Sequence, residues 1–263
     1  MPKMRKTDKC RLIEKRGDGE LGEYKPWLKV HEFGSSGRVH RVKGWKTGRI
    51  HQLMSDLEMY YFVLAQWDDS VIDIKEQYPL LPIEWTLLIA ETEGISHPPR
   101  EKRLRKDKTV MTTDFLITRQ NGFTKTNHAV CIKPYSKLSK ERTREKLFIE
   151  KEYWNRRGIS WEIVTENQID EAKAKNLKSL YMDYFWDSFN PYSSEMINIL
   201  IESFKELLIE SDFNVSTAIR IMEKEMRWEK GKGINFFRYL IVKKQINCDL
   251  SQKLNPKSIR VWL

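Results

Sequence analysis

The chain has 263 residues, enough for one large domain or two smaller ones, and 40% hydrophobic residues, enough for a real core. Its net charge of +10 favours a polyanionic partner, nucleic acid first, over an anionic membrane surface. No apolar run approaches the roughly 18 residues of a spanning helix and no signal-peptide pattern opens the chain. The three cysteines, Cys10, Cys131 and Cys248, lie far apart with no CxxC pair, so neither a disulfide framework nor a zinc site is supported.

In chain order, residues 1–25 are polar, basic and glycine-bearing, and read as a mobile arm. "GSSGRVHRVKGWKTGRIHQL" is turn-rich and basic: short strands or loops. Ser55 then N-caps a helix through "SDLEMYYFVLAQWDD", with Leu57, Tyr61 and Leu64 at helical spacing. "SVIDIKEQYPL" and "EWTLLIAE" read as strands, followed by the strongly basic loop "HPPREKRLRKDK". "TVMTTDFLIT" and "NHAVCIKP" read as a hairpin around Asn121-Gly122. A charged helix, "SKERTREKLFIEKEYWNRRG", closes at Gly158 and leads into the strand "ISWEIVT". After about residue 166 three helical segments and a terminal ribbon follow, a winged-helix-like texture for which a helical bundle is the competing reading.

The hairpin carries the chemistry. With Asn121-Gly122 at the turn centre, Asp114 lies opposite Ala129, and alternation puts Asp114, Cys131 and Lys133 on one face. A carboxylate and an ammonium sharing a face suit metal-dependent phosphodiester hydrolysis: the acid binds a hard cation, and the lysine orients water or stabilises phosphorane charge. The plain alternative is a structural ion pair. Glu58 is also double-edged. Ser55-x-x-Glu58 is a capping box, with Glu58 closing on the Ser55 amide, yet a first-turn carboxylate would suit a metal equally well.

An acid on a helix, an acid on a strand, then a lysine on the next strand, followed by helix and strand, resembles the restriction-endonuclease core. More narrowly, "YKPWLKV", "SSGRVHR", "KTGRIHQLMSDLE", "IKEQYPLLP", "MTTDFLI" and "IKP", spread over about residues 20–170, resemble the TnsA endonuclease subunits of heteromeric cut-and-paste transposases. The resemblance implies a restriction-endonuclease-like domain over 26–166 and a smaller winged-helix-like domain over 167–263 for partner or DNA binding. It implies catalytic Glu58, Asp114 and Lys133, with Mg²⁺ (Mn²⁺ as substitute) on Glu58, Asp114 and the Ile132 backbone carbonyl. It also implies cleavage of the non-transferred strand at the 5′ ends of a transposon. The expected partners are double-stranded DNA, a DDE-type transposase subunit and an AAA+ ATPase regulator. The expected place is the bacterial cytoplasm, on the nucleoid.

Cys131 departs from the family, which has glutamate, aspartate or glutamine there; a neutral thiol is a poor Mg²⁺ ligand. A non-catalytic DNA-binding or assembly subunit with a decayed site is therefore the alternative, and a free-standing nuclease a third. Cys131 as a nucleophile is disfavoured, because no histidine is placed to activate it and His128 falls on the opposite strand face. The remaining histidines show no metal-ligand spacing, though His51 lies where it could contact phosphate. Two basic stretches supply the candidate DNA contacts Lys46, Arg49, Arg103 and Arg105.

Overall fold

Part of the expected mobile arm is folded. The computed structural model describes residues 6–32, 37–98, 108–189 and 192–263, and α1 (Lys6–Ile13) opens it. Asp8, fully buried, accepts from Arg11 (2.8 Å) and from the Val110 amide (3.4 Å). Arg11 also reaches Glu32, and Glu32 in turn pairs with Arg16, whose guanidinium donates to the Trp27 carbonyl. Such a ladder of buried charges is tolerated only because each is paired. The chain divides into units 1–169 and 170–263, three residues later than the expected boundary.

In the first unit, β1 (His40–Lys43) and β2 (Ile50–Leu53) form an antiparallel ribbon that runs into α2 (Asp56–Trp67). The buried stripe of α2 is Met59, Phe62, Val63 and Ala65 rather than Leu57, Tyr61 and Leu64. Tyr61 instead packs on Phe115 at its flank, ring centroids 5.4 Å apart. β3 (Val71–Pro79) follows. "EWTLLIAE", expected as a strand, belongs to α3 (Ile83–Thr92). A short continuous apolar run does not separate strand from helix by periodicity; its buried positions, Ile83, Thr86, Ile89 and Ala90, have helical spacing.

β4 (Thr112–Asn121) and β5 (Thr124–Ile132) form the expected hairpin, shifted in register by two residues. The turn is Gly122-Phe123, flanked by the pair Asn121↔Thr124. Gly122, with φ 59°, takes the first turn position, where a glycine-led two-residue turn needs positive φ. The shift is even, so the alternation argument survives, but Asp114 comes opposite Cys131 instead of Ala129. α4 (Glu141–Arg156) crosses over to β6 (Ser160–Val164), which pairs parallel with β5. Strand order is β3-β4-β5-β6. Leu116 and Ala129 pack with Ile89, Ile149, Tyr153 and Trp154 of α3 and α4. Phe115, next to Leu116, turns to Tyr61 of α2, so the sheet lies between α2 and the α3–α4 layer.

The second unit contains α5 (Glu171–Leu180), a 3₁₀ run over Tyr181–Phe189, α6 (Ser194–Glu210), α7 (Val215–Glu225), α8 (Lys232–Val242) and a ribbon of β7 (Asn247–Cys248) with β8 (Val261–Trp262). Asp170, Ser193 and Asn214 cap α5, α6 and α7 by side-chain bonds to the third helical amide. Phe204, Phe236, Phe237, Leu240 and Ile241 are buried in its core. α5 and the 3₁₀ run are additional to the three helical segments expected.

Candidate active site

Glu58 is held where β2 gives way to α2. The Ser55 hydroxyl accepts from the Glu58 amide (3.1 Å) and donates to Glu58 Oε1 (3.1 Å). Glu58 Oε2 accepts from the Met54 amide (2.8 Å), one residue ahead of the Ser55 amide that a standard capping box would use. Gln77, whose φ of 50° lies in the left-handed region, donates to the same oxygen (3.4 Å) and accepts from Thr112 (3.4 Å). Gln77 therefore links the helix acid to the start of β4. It lies within the family-like stretch "IKEQYPLLP", which assigns it no role by itself.

The β4–β5 ladder ends at Phe115↔Val130. Just beyond, Asp114 Oδ2 takes the Ile132 amide (2.7 Å) and the Lys133 ammonium (2.8 Å). The same ammonium donates to the Ile132 carbonyl (2.9 Å). Lys133 itself is anchored by its amide to the Val164 carbonyl of β6 (3.1 Å). Asp114, Ile132 and Lys133 thus converge as expected.

Electrostatics brings in the other groups. Burial, then the charge of Asp114, pushes Glu58 up to about 7. The same two causes push Glu150 up to about 7. Burial opposes the charge on Lys133, but Asp114, Cys131 and Glu150 outweigh it and hold its pKa well above the ordinary lysine range. Cys131, 1% exposed, is pushed well up by burial and by Glu150 and Asp114, so it is a thiol, not a thiolate.

Glu150 lies on α4 and is buried. Its Oε1 accepts from Thr113 (2.9 Å) and Trp161 (3.2 Å), and no ion pair engages it among the described residues. It borders, with Lys133 and Thr112, a cavity of about 460 Å³.

The donor chemistry fits a hard divalent cation: Asp114, Glu58 and Glu150 carboxyls and the Ile132 carbonyl are all oxygens. Among the described residues no three acidic, histidine or cysteine side chains are gathered into a ready metal cluster. The convergence point of Asp114 and the Ile132 carbonyl is held instead by the Lys133 ammonium, a monovalent stand-in for such an ion.

Arg49, expected to contact DNA, and His51, expected within reach of phosphate, are engaged inside the fold. Arg49 forks onto Glu76 (2.8 and 2.5 Å) and donates to the Ile74 and Leu21 carbonyls. With only 8% of its side chain exposed, it faces inward. His51 is fully buried between Glu76 (2.8 Å) and Thr47 (2.7 Å), which rules out phosphate contact. Its pKa is lowered, by burial first, against the pull of Glu76. Glu76 sits at about 2, because His51 and Arg49 overcome its burial. The Lys46 ammonium donates to the Asp68 carbonyl at the end of α2 (2.8 Å). Arg103 and Arg105 lie outside the described residues.

Two family models match in sequence: "TnsA-like endonuclease N terminal" over residues 68–166 and "TnsA endonuclease C terminal" over 168–250. The chain is 44% identical over 171 residues to the transposon Tn7 transposition protein TnsA of Escherichia coli. That stretch is 65% of this chain and 60% of the relative's length.

Proposed function

The chain belongs to the TnsA endonuclease family, and from that premise we propose that it is the DNA endonuclease subunit of a transposase. It cuts the non-transferred strand at the 5′ ends of a transposon by divalent-metal-dependent hydrolysis. The observation that carries this reading is the convergence of the Lys133 ammonium, the Asp114 carboxylate and the Ile132 carbonyl within 3 Å bonds (2.8 and 2.9 Å), with Glu58 and Glu150 electrostatically joined to Asp114.

Mg²⁺, or Mn²⁺ in its place, would be held by Asp114, the Ile132 carbonyl and one or both of Glu58 and Glu150. Bound there, it supplies Lewis-acid polarisation of the scissile phosphate and lowers the pKa of the attacking water. Asp114 orients its donors through the Ile132 amide. The Lys133 ammonium would stabilise the negative charge that builds on the non-bridging phosphate oxygens. Glu58 and Glu150, both raised to about 7, would hold such a cation in their ionised forms.

The α2–sheet–α4 arrangement supports a restriction-endonuclease-like fold for the first unit. In the second unit, three consecutive helices with a terminal ribbon support a winged-helix-like module for partner or DNA binding. A DDE-type subunit for the 3′ ends and an AAA+ regulator complete the proposed assembly, which acts on bacterial DNA in the cytoplasm. The buried, protonated Cys131 favours one second reading, an assembly subunit with a silent nuclease. Strand-specific cleavage of a transposon-end duplex, with and without partner transposase and metal, decides between them. Metal-dependent 5′-strand cutting that Asp114→Asn abolishes supports the nuclease; none under any condition favours the silent subunit.

A further inference from the structure

The cavity beside Lys133 has an excess of positive charge that the protein itself does not balance. One face of α4 lines it with Thr143, Lys146, Leu147 and Glu150, residues spaced as one helical stripe. Lys137, from the segment between β5 and α4, lines it too. Lys133 is paired with Asp114, and Arg142, one turn before Lys146, is paired with Glu145 (2.5 Å). Neither Lys137 nor Lys146 has an ion pair or a side-chain hydrogen bond among the described residues. Burial, then the neighbouring charges of Arg142 and Lys133, lowers the pKa of Lys146. Like charges are thus crowded along a cleft in which, among the described lining residues, Glu150 is the one carboxyl.

We propose that Lys146, seconded by Lys137, binds the backbone phosphate next to the scissile one and so positions the DNA strand over Asp114 and Lys133. The ligand is a phosphodiester: a polyanion with a charge at each backbone step places one phosphate at Lys133 and its neighbour along the α4 stripe. Lys146 does not touch the reacting phosphorus; it is a positioning residue. The inference rests on the nuclease reading only for the words "next to the scissile one"; the phosphate site itself stands apart from cleavage.

The test uses the full chain, a short duplex as probe, and an Asp114→Asn background without metal, so that binding is read without cutting. Each phosphate contact contributes about 0.9 to the slope of log affinity against log salt. Lys146→Gln is expected to reduce that slope by about one, and the Lys137→Gln/Lys146→Gln pair by about two. Lys146→Arg is expected to restore it, since a guanidinium also binds phosphate. In the cleaving protein Lys146→Gln should raise KM more than it lowers kcat. An unchanged slope with a folded Lys146→Gln protein overturns the proposal, as does a wild-type protein that binds no duplex. A reduced slope in a protein that cuts nothing retains the phosphate site and rejects the nuclease reading alone.

Discussion

Lys133 Nζ stands 2.8 Å from Asp114 Oδ2, and the same ammonium holds the Ile132 carbonyl at 2.9 Å. A divalent cation bound as proposed would therefore compete with the lysine for one pair of oxygens. Lys133→Met is expected to lose cleavage while binding Mn²⁺ at least as tightly as wild type by calorimetry. Asp114→Asn is expected to lose both. Asp114→Ala is less clean, because it also strands the Ile132 amide, at about 1–3 kcal/mol of stability. Weaker Mn²⁺ binding by Lys133→Met would count against the competition.

Glu150→Gln isolates charge from shape. A glutamine carbonyl can still accept from Thr113 and Trp161, so the melting temperature should hold. If Glu150 holds metal, the metal concentration for half-maximal cutting should rise about tenfold or more. Glu58→Gln asks the same of the capping acid, since glutamine also closes a capping box. Wild-type metal dependence in either variant would return that residue to a structural role.

Both acids give the protein a pH signature. Glu58 and Glu150 are raised from the ordinary 4.5 to about 7. The stability they contribute is fully present below 4.5 and is lost as pH rises to about 7, on the order of a few kcal/mol for the pair. Glu76, lowered to about 2, acts in the other direction: its contribution is present above 4.5 and is lost as pH falls towards 2. His51, lowered by burial, and His97, lowered by burial to about 4, act against this loss up to about pH 6.5, so the signature of the acids is read as a difference. Relative to a Glu58→Gln/Glu150→Gln protein, the metal-free wild type should lose stability from about pH 4.5 to 7, and saturating Mg²⁺ should flatten that relative loss. The same pH dependence of melting in both proteins would refute the assignment.

Arg49→Ala separates folding from DNA contact. It leaves Glu76 buried with one cation partner fewer, a loss of about 3–5 kcal/mol. The salt dependence of DNA binding, measured below the unfolding range, should stay at its wild-type slope. A stable Arg49→Ala protein with a shallower slope would restore the arginine to the DNA interface.

Cys131→Gln supplies the side-chain oxygen found elsewhere in the family, but at a site 1% exposed. Overpacking should lower stability by about 1–3 kcal/mol. Half-maximal cutting should nevertheless need less Mg²⁺. Unchanged metal dependence would mean that Glu150 already supplies the missing donor.

The three candidate site residues, Glu58, Asp114 and Lys133, are legible in the sequence because each sits against the grain of its segment: a charge at a helix start or in an apolar strand. The register was not, because a Gly122-Phe123 turn and an Asn121-Gly122 turn satisfy the same glycine rule. Arg49 misled because a basic stretch in sequence says nothing of a buried Glu76 waiting 27 residues away. Gln77 and Lys146 show no role for the opposite reason: a glutamine in a strand, even inside the family-like stretch "IKEQYPLLP", and one lysine among many on a charged helix carry no local chemical signal. Only the fold sets one between Glu58 and Thr112 and the other beside Lys133.

The α4 stripe also works as a gauge of length. Each residue advances a helix by about 100°, so one amino acid inserted between Thr143 and Glu150 swings one end of the stripe out of the cavity while both flanking strands keep their places. The turn at Gly122-Phe123, where Phe123 is fully exposed, imposes no such phase. Length variation among natural relatives should therefore gather at that turn and be absent from α4. A fluorophore or peptide tag placed at the turn should be carried without silencing the site.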